Sequence, residues 1–77
     1  MNLNRAVELL RVVSAIPVND SAKHPEIRIF YAAGEGYTLQ VKADAVNAEY
    51  RNHLRRIVES CKLEIRESEG YLIISGH

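Results

Sequence analysis

Hydrophobic residues recur along this chain at two spacings, one helical and one alternating. Leu3, Ala6, Val7, Leu10 and Val13 lie three and four residues apart, the repeat of one face of an α-helix, so a helix is expected over 3–16. Asn2 stands where a side-chain oxygen can accept one of the orphan backbone N–H groups of the first turn. Pro17 ends the helix, because it restricts Ile16 and has no N–H to donate. Residues 17–25 hold Pro17, Asn19, Asp20, Ser21 and Pro25, all turn formers, so they are expected to form a loop. At nine residues it is longer than the usual connection of about 4–6.

The spacing then changes to two. Ile27, Ile29 and Tyr31 alternate with Arg28, Phe30 and Ala32, and Tyr37, Leu39 and Val41 alternate with Thr38, Gln40 and Lys42. This predicts a hairpin of strands 26–33 and 37–43. A three-residue turn Gly34-Glu35-Gly36 would pair Ala33 with Tyr37, Tyr31 with Leu39 and Ile29 with Val41. The helical repeat returns with Val46, Tyr50, Leu54, Ile57, Val58 and Cys61, predicting a second helix over 45–61 with Asp44 as its N-cap. A second hairpin is expected from 62–67 and 71–75. Its turn, Ser68-Glu69-Gly70, would place Glu67 opposite Tyr71 and Ile65 opposite Ile73.

Two tripeptides recur in the same order: Glu26-Ile27-Arg28 then Glu35-Gly36-Tyr37, and Glu64-Ile65-Arg66 then Glu69-Gly70-Tyr71. Each pair follows a helical segment, so the chain reads as two helix–hairpin units. The expected fold is of the α+β class, with element order α-β-β-α-β-β. Its simplest packing is a two-layer α/β sandwich, with a four-stranded, mainly antiparallel sheet and both helices on one face. At 77 residues the chain makes one small domain, 1–77, which buries only about 60–65% of its unfolded surface.

The core does not use every apolar residue. Leu9, Val12 and Ile16 widen the apolar arc of the first helix beyond half its circumference. In the register above, Leu72 and Ile74 lie on the sheet face opposite Tyr71 and Ile73, and Phe30 shares that outer face. Surplus apolar surface marks an interface, so Leu9, Val12, Ile16, Phe30, Leu72 and Ile74 are the expected contact residues for a second copy or another protein.

Charge narrows the choice of partner. Ten Lys and Arg balance ten Asp and Glu, which argues against a domain held to nucleic acid by bulk charge. Zero net charge also removes a barrier to self-association. Local basic candidates remain: Arg51, Arg55 and Lys62 on one flank of the second helix and just beyond its end, with Arg56 on the other side. Glu49 and Glu59 interrupt the surface, Glu59 being spaced to contact Arg55 or Arg56. Sheet faces that bind single strands need outward aromatics, and here Phe30 points outward while the tyrosines are expected inward.

Chemistry-bearing residues are sparse. Cys61 is the single cysteine, so no internal disulfide framework exists. Placed on the apolar stripe near a helix C-terminus, it reads as a small core residue. His24, His53, His77 and Cys61 contain no closely spaced ligand pair, so no metal or other cofactor is expected. His53 borders the stripe as a partly buried structural residue. No serine sits in a nucleophile elbow, and Gly34-x-Gly36 lies in a turn without the rest of a dinucleotide fingerprint. The start of the chain lacks a signal-peptide layout and no apolar run reaches the roughly 20 residues of a membrane span, so a cytoplasmic setting is expected, with no membrane partner.

The function these residues point to is a non-enzymatic protein-interaction module, an adaptor, regulator or inhibitor acting as a homodimer. Two other readings stay open. One is a nucleic-acid-binding regulator using Arg51, Arg55, Arg56 and Lys62. The other is a ligand-binding or enzyme-associated subunit using the 17–25 loop.

Overall fold

The computed structural model describes residues 1–17 and 25–76. The elements run α1 (Leu3–Ser14), β1 (Ile27–Ala32), β2 (Gly36–Lys42), a 3-10 turn (Ala43–Ala45), α2 (Ala48–Ser60), β3 (Glu64–Ser68) and β4 (Tyr71–Ser75). The chain is of the α+β class, with two helices and an antiparallel four-stranded sheet in the order β1-β2-β4-β3. Asn19, Asp20, Ser21, Lys23 and His24 of the expected loop lie outside the described residues.

Both helices begin with the same device. Asn2 Oδ1 accepts the Arg5 N–H and Asn47 Oδ1 accepts the Tyr50 N–H, each at 2.8 Å. In each case the side-chain oxygen satisfies an orphan donor of the first turn. Asn2 is the expected cap. Asp44 is not: it falls in the 3-10 turn, and α2 starts three residues later than predicted. The end of α2 is closed by two backbone bonds, Lys62 N–H to Glu59 O and Leu63 N–H to Val58 O. Lys62 takes the left-handed conformation (φ 57°) that this helix stop requires.

β1 and β2 pair as Ile27–Val41, Ile29–Leu39 and Tyr31–Tyr37. This is two residues from the predicted register, so every side chain keeps its face. The second hairpin differs by one residue. Its turn has two residues, Glu69 and Gly70, both at positive φ (51° and 82°), which is the hairpin turn that follows the twist of the strands. Ser68 therefore pairs with Tyr71, Glu67 with Leu72 and Ile65 with Ile74. A slip of one reverses the faces, so Leu72 and Ile74 point into the core while Tyr71 and Ile73 point outward. This corrects the outer-face placement of Leu72 and Ile74.

The core gathers Leu9, Val13 and Ile16 from the α1 segment, Tyr50, Leu54 and Val58 from α2, and Leu39, Val41, Leu72 and Ile74 from the two central strands. Tyr50 ties the helices together: its buried hydroxyl donates to Val13 O at 3.4 Å, and burial raises its pKa. At the centre of the sheet Leu39 pairs with Ile74, Gln40 with Ile73 and Val41 with Leu72. A local two-fold axis through the Gln40–Ile73 pair thus exchanges Leu39 with Leu72 and Val41 with Ile74. The two halves correspond across this axis, but one residue out of step with the match of Tyr37 to Tyr71 that the tripeptides imply.

Candidate protein interface

The six expected contact residues do not form one surface. Leu72 and Ile74 are 2% and 0% exposed, and Leu9 and Ile16 are also buried. The sheet covers the middle of the wide apolar arc of α1, so Leu9 and Ile16 belong to the core. Val12 and Phe30 are exposed, but they lie apart. Val12 stands beside a groove of about 160 Å³ lined by Arg5, Glu8, Leu9, Cys61 and Leu63. Phe30 alternates onto the outer face of β1. Cys61 is exposed, against the core placement expected for it, because α2 ends at Ser60 and the chain turns before the stripe reaches it. His53 is half-buried.

Leu3 and Val7, expected on the main stripe of the first helix, and Tyr31, expected inward, are instead exposed and complete the exposed large apolar residues of the described chain. Their positions follow from the fold. α1 lies across β1 and β2. Its Arg5–Glu8–Val12 flank faces the end of α2, as the shared groove shows. At about 100° per residue, Leu3, Val7 and Leu10 form the opposite flank, on the β1 side of the molecule. Tyr31 lies under that side, 62% exposed, with its ring edge-on to Tyr37 at 5.2 Å. Phe30, 53% exposed, projects from the other face of the same strand. Of the five exposed large apolar residues, Phe30 and Tyr31 lie on β1 itself, and Leu3 and Val7 lie on the α1 flank turned away from the end of α2.

β1 is also a terminal strand of the sheet, with no strand beyond it among the described residues. Lys42 N–H bonds to Glu26 O and Glu35 N–H bonds to Ala32 O, so the main-chain groups of even-numbered residues point toward β2. In an antiparallel ladder these directions alternate. The N–H and C=O of Ile27, Ile29 and Tyr31 therefore point outward, and no partner for them is found among the described residues. The other edge, β3, is of a different character. Glu64, Arg66, Glu67 and Ser68 make up most of it, and charged side chains discourage edge pairing.

The basic residues divide. Arg51 and Arg55 line a hollow of about 140 Å³ with Arg66 and Glu67, over Ile65 and Leu72. Arg51 lies 3.8 Å from Glu67, and Arg66 bonds to Glu35 at 3.1 Å. Arg56 points about 100° around the helix from Arg55, on the other side of α2 as expected, and Arg55, Arg56 and Lys62 are exposed. A second set, which shares Arg66 with that hollow, lies on the outer sheet face, where Arg28 sits 5.2 Å above the Tyr71 ring and Phe30, Lys42 and Arg66 share the face by strand alternation. Tyr71 points outward, not inward as expected, for the one-residue reason given above.

Among the described residues no three or more His, Cys, Asp or Glu side chains gather as a metal site, and no helix is long and apolar enough to cross a membrane. No protein-family model, curated protein or solved structure matches this chain.

Proposed function

We propose that the chain is a non-enzymatic protein-interaction module, an adaptor, regulator or inhibitor that acts as a homodimer. Its arrangement is a two-layer one, both helices over one face of the sheet. The observation that carries this reading is the coincidence along one side of the molecule of exposed Leu3, Val7, Phe30 and Tyr31 with the open edge of β1. Exposed apolar patches and unpaired strand edges are each costly to leave in water, and together they favour a protein partner. The exposed thiol of Cys61 supports a reducing, cytoplasmic setting. Light scattering after size exclusion tests the homodimer. The expected mass is twice the 8.7 kDa of the chain, falling toward the single-chain mass only on strong dilution. A single-chain mass at every concentration would remove the homodimer from the proposal.

A second reading is favoured by the outer sheet face. Phe30 and Tyr71 offer stacking surfaces, with Arg28, Lys42 and Arg66 beside them, which is the chemistry of sequence-tolerant binding to single-stranded nucleic acid. It replaces the α2 basic flank as the surface for that function. Under this reading a gel shift with single-stranded RNA at low salt shows binding that weakens steeply as salt rises and is lost in Phe30→Ala. Absence of any shift at low salt would eliminate it.

A further inference from the structure

We propose that two copies of the chain join by pairing β1 with β1 antiparallel, centred on Ile29, so that the two sheets of four strands become one continuous sheet. This pairing rests on the homodimer reading above and specifies where and in what register the copies meet. The outward groups of β1 make the strand self-complementary. With Ile29 opposite Ile29 of the second copy, Ile27 falls opposite Tyr31 and Tyr31 opposite Ile27, so the N–H and C=O of all three residues find partners on both sides. A two-fold axis relates the copies, which closes the assembly at a dimer.

Charge selects the register. Arg28 is the one charged residue of β1. Centring on Ile29 places Arg28 across from Phe30 of the second copy, on the outer face. The ring there meets the aliphatic stem of Arg28, whose guanidinium stays over Tyr71. A shift of one step toward the N-terminus sets Arg28 against Arg28, like charges directly opposite, which destabilises a pair. A shift the other way leaves Ile27 against Ala33, outside the strand. The opposite edge of the sheet offers no such match, since β3 carries acidic and basic side chains along its length.

The helices complete the fit. α1 lies across β1 and β2, so its axis stands about one strand spacing from the proposed two-fold axis. Strands lie about 4.8 Å apart, which puts α1 and its mate about 9.6 Å apart, within the 8–10 Å at which helices pack. The flank turned toward the mate is the one carrying Leu3 and Val7. One docking event thus covers Leu3, Val7 and Tyr31 on one face, covers Phe30 on the other, and satisfies the outward main chain of β1 between them, leaving Val12 on the far flank of α1.

Disulfide trapping tests this in a Cys61→Ser background. Even-numbered residues would form the closely spaced, non-hydrogen-bonded pairs, with Cα atoms about 4.5 Å apart, inside the range of about 4.4–6.8 Å that a disulfide spans. Chains carrying Arg28→Cys and chains carrying Phe30→Cys, mixed and oxidised, are expected to cross-link to each other at least tenfold more than Arg28→Cys chains alone. Tyr31→Pro removes an outward N–H without touching the β1–β2 bonds, and Val7→Glu charges the helix flank. Each is expected to weaken the dimer at least tenfold while circular dichroism remains that of the folded chain. A dimer that shows no preferential cross-link and is unaffected by either variant would overturn the edge pairing and leave the homodimer reading standing. A chain monomeric at every concentration would remove both.

Discussion

Ile74→Asp is expected to abolish folding, whereas Ile73→Asp, one residue away, leaves the chain folded. Ile74 has no exposed surface and sits between Leu39 and Ile65 in the core. Removing its side chain alone costs about 2–5 kcal/mol. A carboxylate in its place must be ionised without a partner or protonated, at a further cost of several kcal/mol. A chain of 77 residues is expected to have about 4–12 kcal/mol in total, so the substitution removes most or all of it. Ile73 lies on the outer face between Gln40 and Arg66 and is half-buried. Its replacement loses part of one apolar contact, about 1 kcal/mol, and brings an acid beside Arg66. Urea titration followed by circular dichroism separates the two. An unfolded Ile73→Asp with a folded Ile74→Asp would show that β4 faces the other way.

That reversal is the part of the fold the residues conceal best. In β2, Thr38 and Gln40 separate Tyr37, Leu39 and Val41, so alternation alone assigns the faces even when the register is two residues out. β4 reads Tyr71-Leu72-Ile73-Ile74, four apolar side chains in succession, with no polar residue to mark the outside. Its orientation then depends on whether the turn has two residues or three. The repeated Glu-Gly-Tyr argued for equal turns, but Ala33-Gly34-Glu35 connects the first hairpin and Glu69-Gly70 the second. The helices were more legible, since Val13, Leu54 and Val58 follow helical spacing and are buried. The start of α2 was not, because Asp44 and Asn47 are both capable caps, and Asp44 is taken up in the 3-10 turn Ala43–Ala45, which leaves Asn47 as the cap.

The candidate interface was partly hidden for a related reason. The wide apolar arc of α1 was visible, and so was Phe30. How much of that arc the sheet covers is a tertiary matter. The sheet covers the middle, where Leu9 and Ile16 lie, and leaves Val12 on one flank and Leu3 and Val7 on the other. Tyr31 alternates with the core residues of β1 but sits near the strand end, where inward parity does not bring burial. Which strand forms an edge is fixed by the order β1-β2-β4-β3, and long-range pairing of this kind leaves no local trace.

Gly36→Ala is expected to cost about 2–3 kcal/mol, clearly more than Gly34→Ala. Both glycines have positive φ, 80° and 86°, where an L-residue is strained by about 1–2 kcal/mol. Beyond Gly34 there is open space. A Cβ at Gly36 would stand 2.9 Å from the carbonyl oxygen of Met1, a main-chain atom that cannot rotate aside as a side chain does. The same oxygen accepts the Tyr37 N–H at 2.9 Å, and the Met1 amino group donates to Glu35 O and Tyr37 O. Met1 must move, and the Tyr37–Met1 bond, worth about 0.5–1.5 kcal/mol, is lost with it. Urea unfolding of both variants measures the difference, and faster hydrogen exchange at the Tyr37 amide in Gly36→Ala identifies its source. Equal costs for the two variants would mean that Met1 is not held against β2.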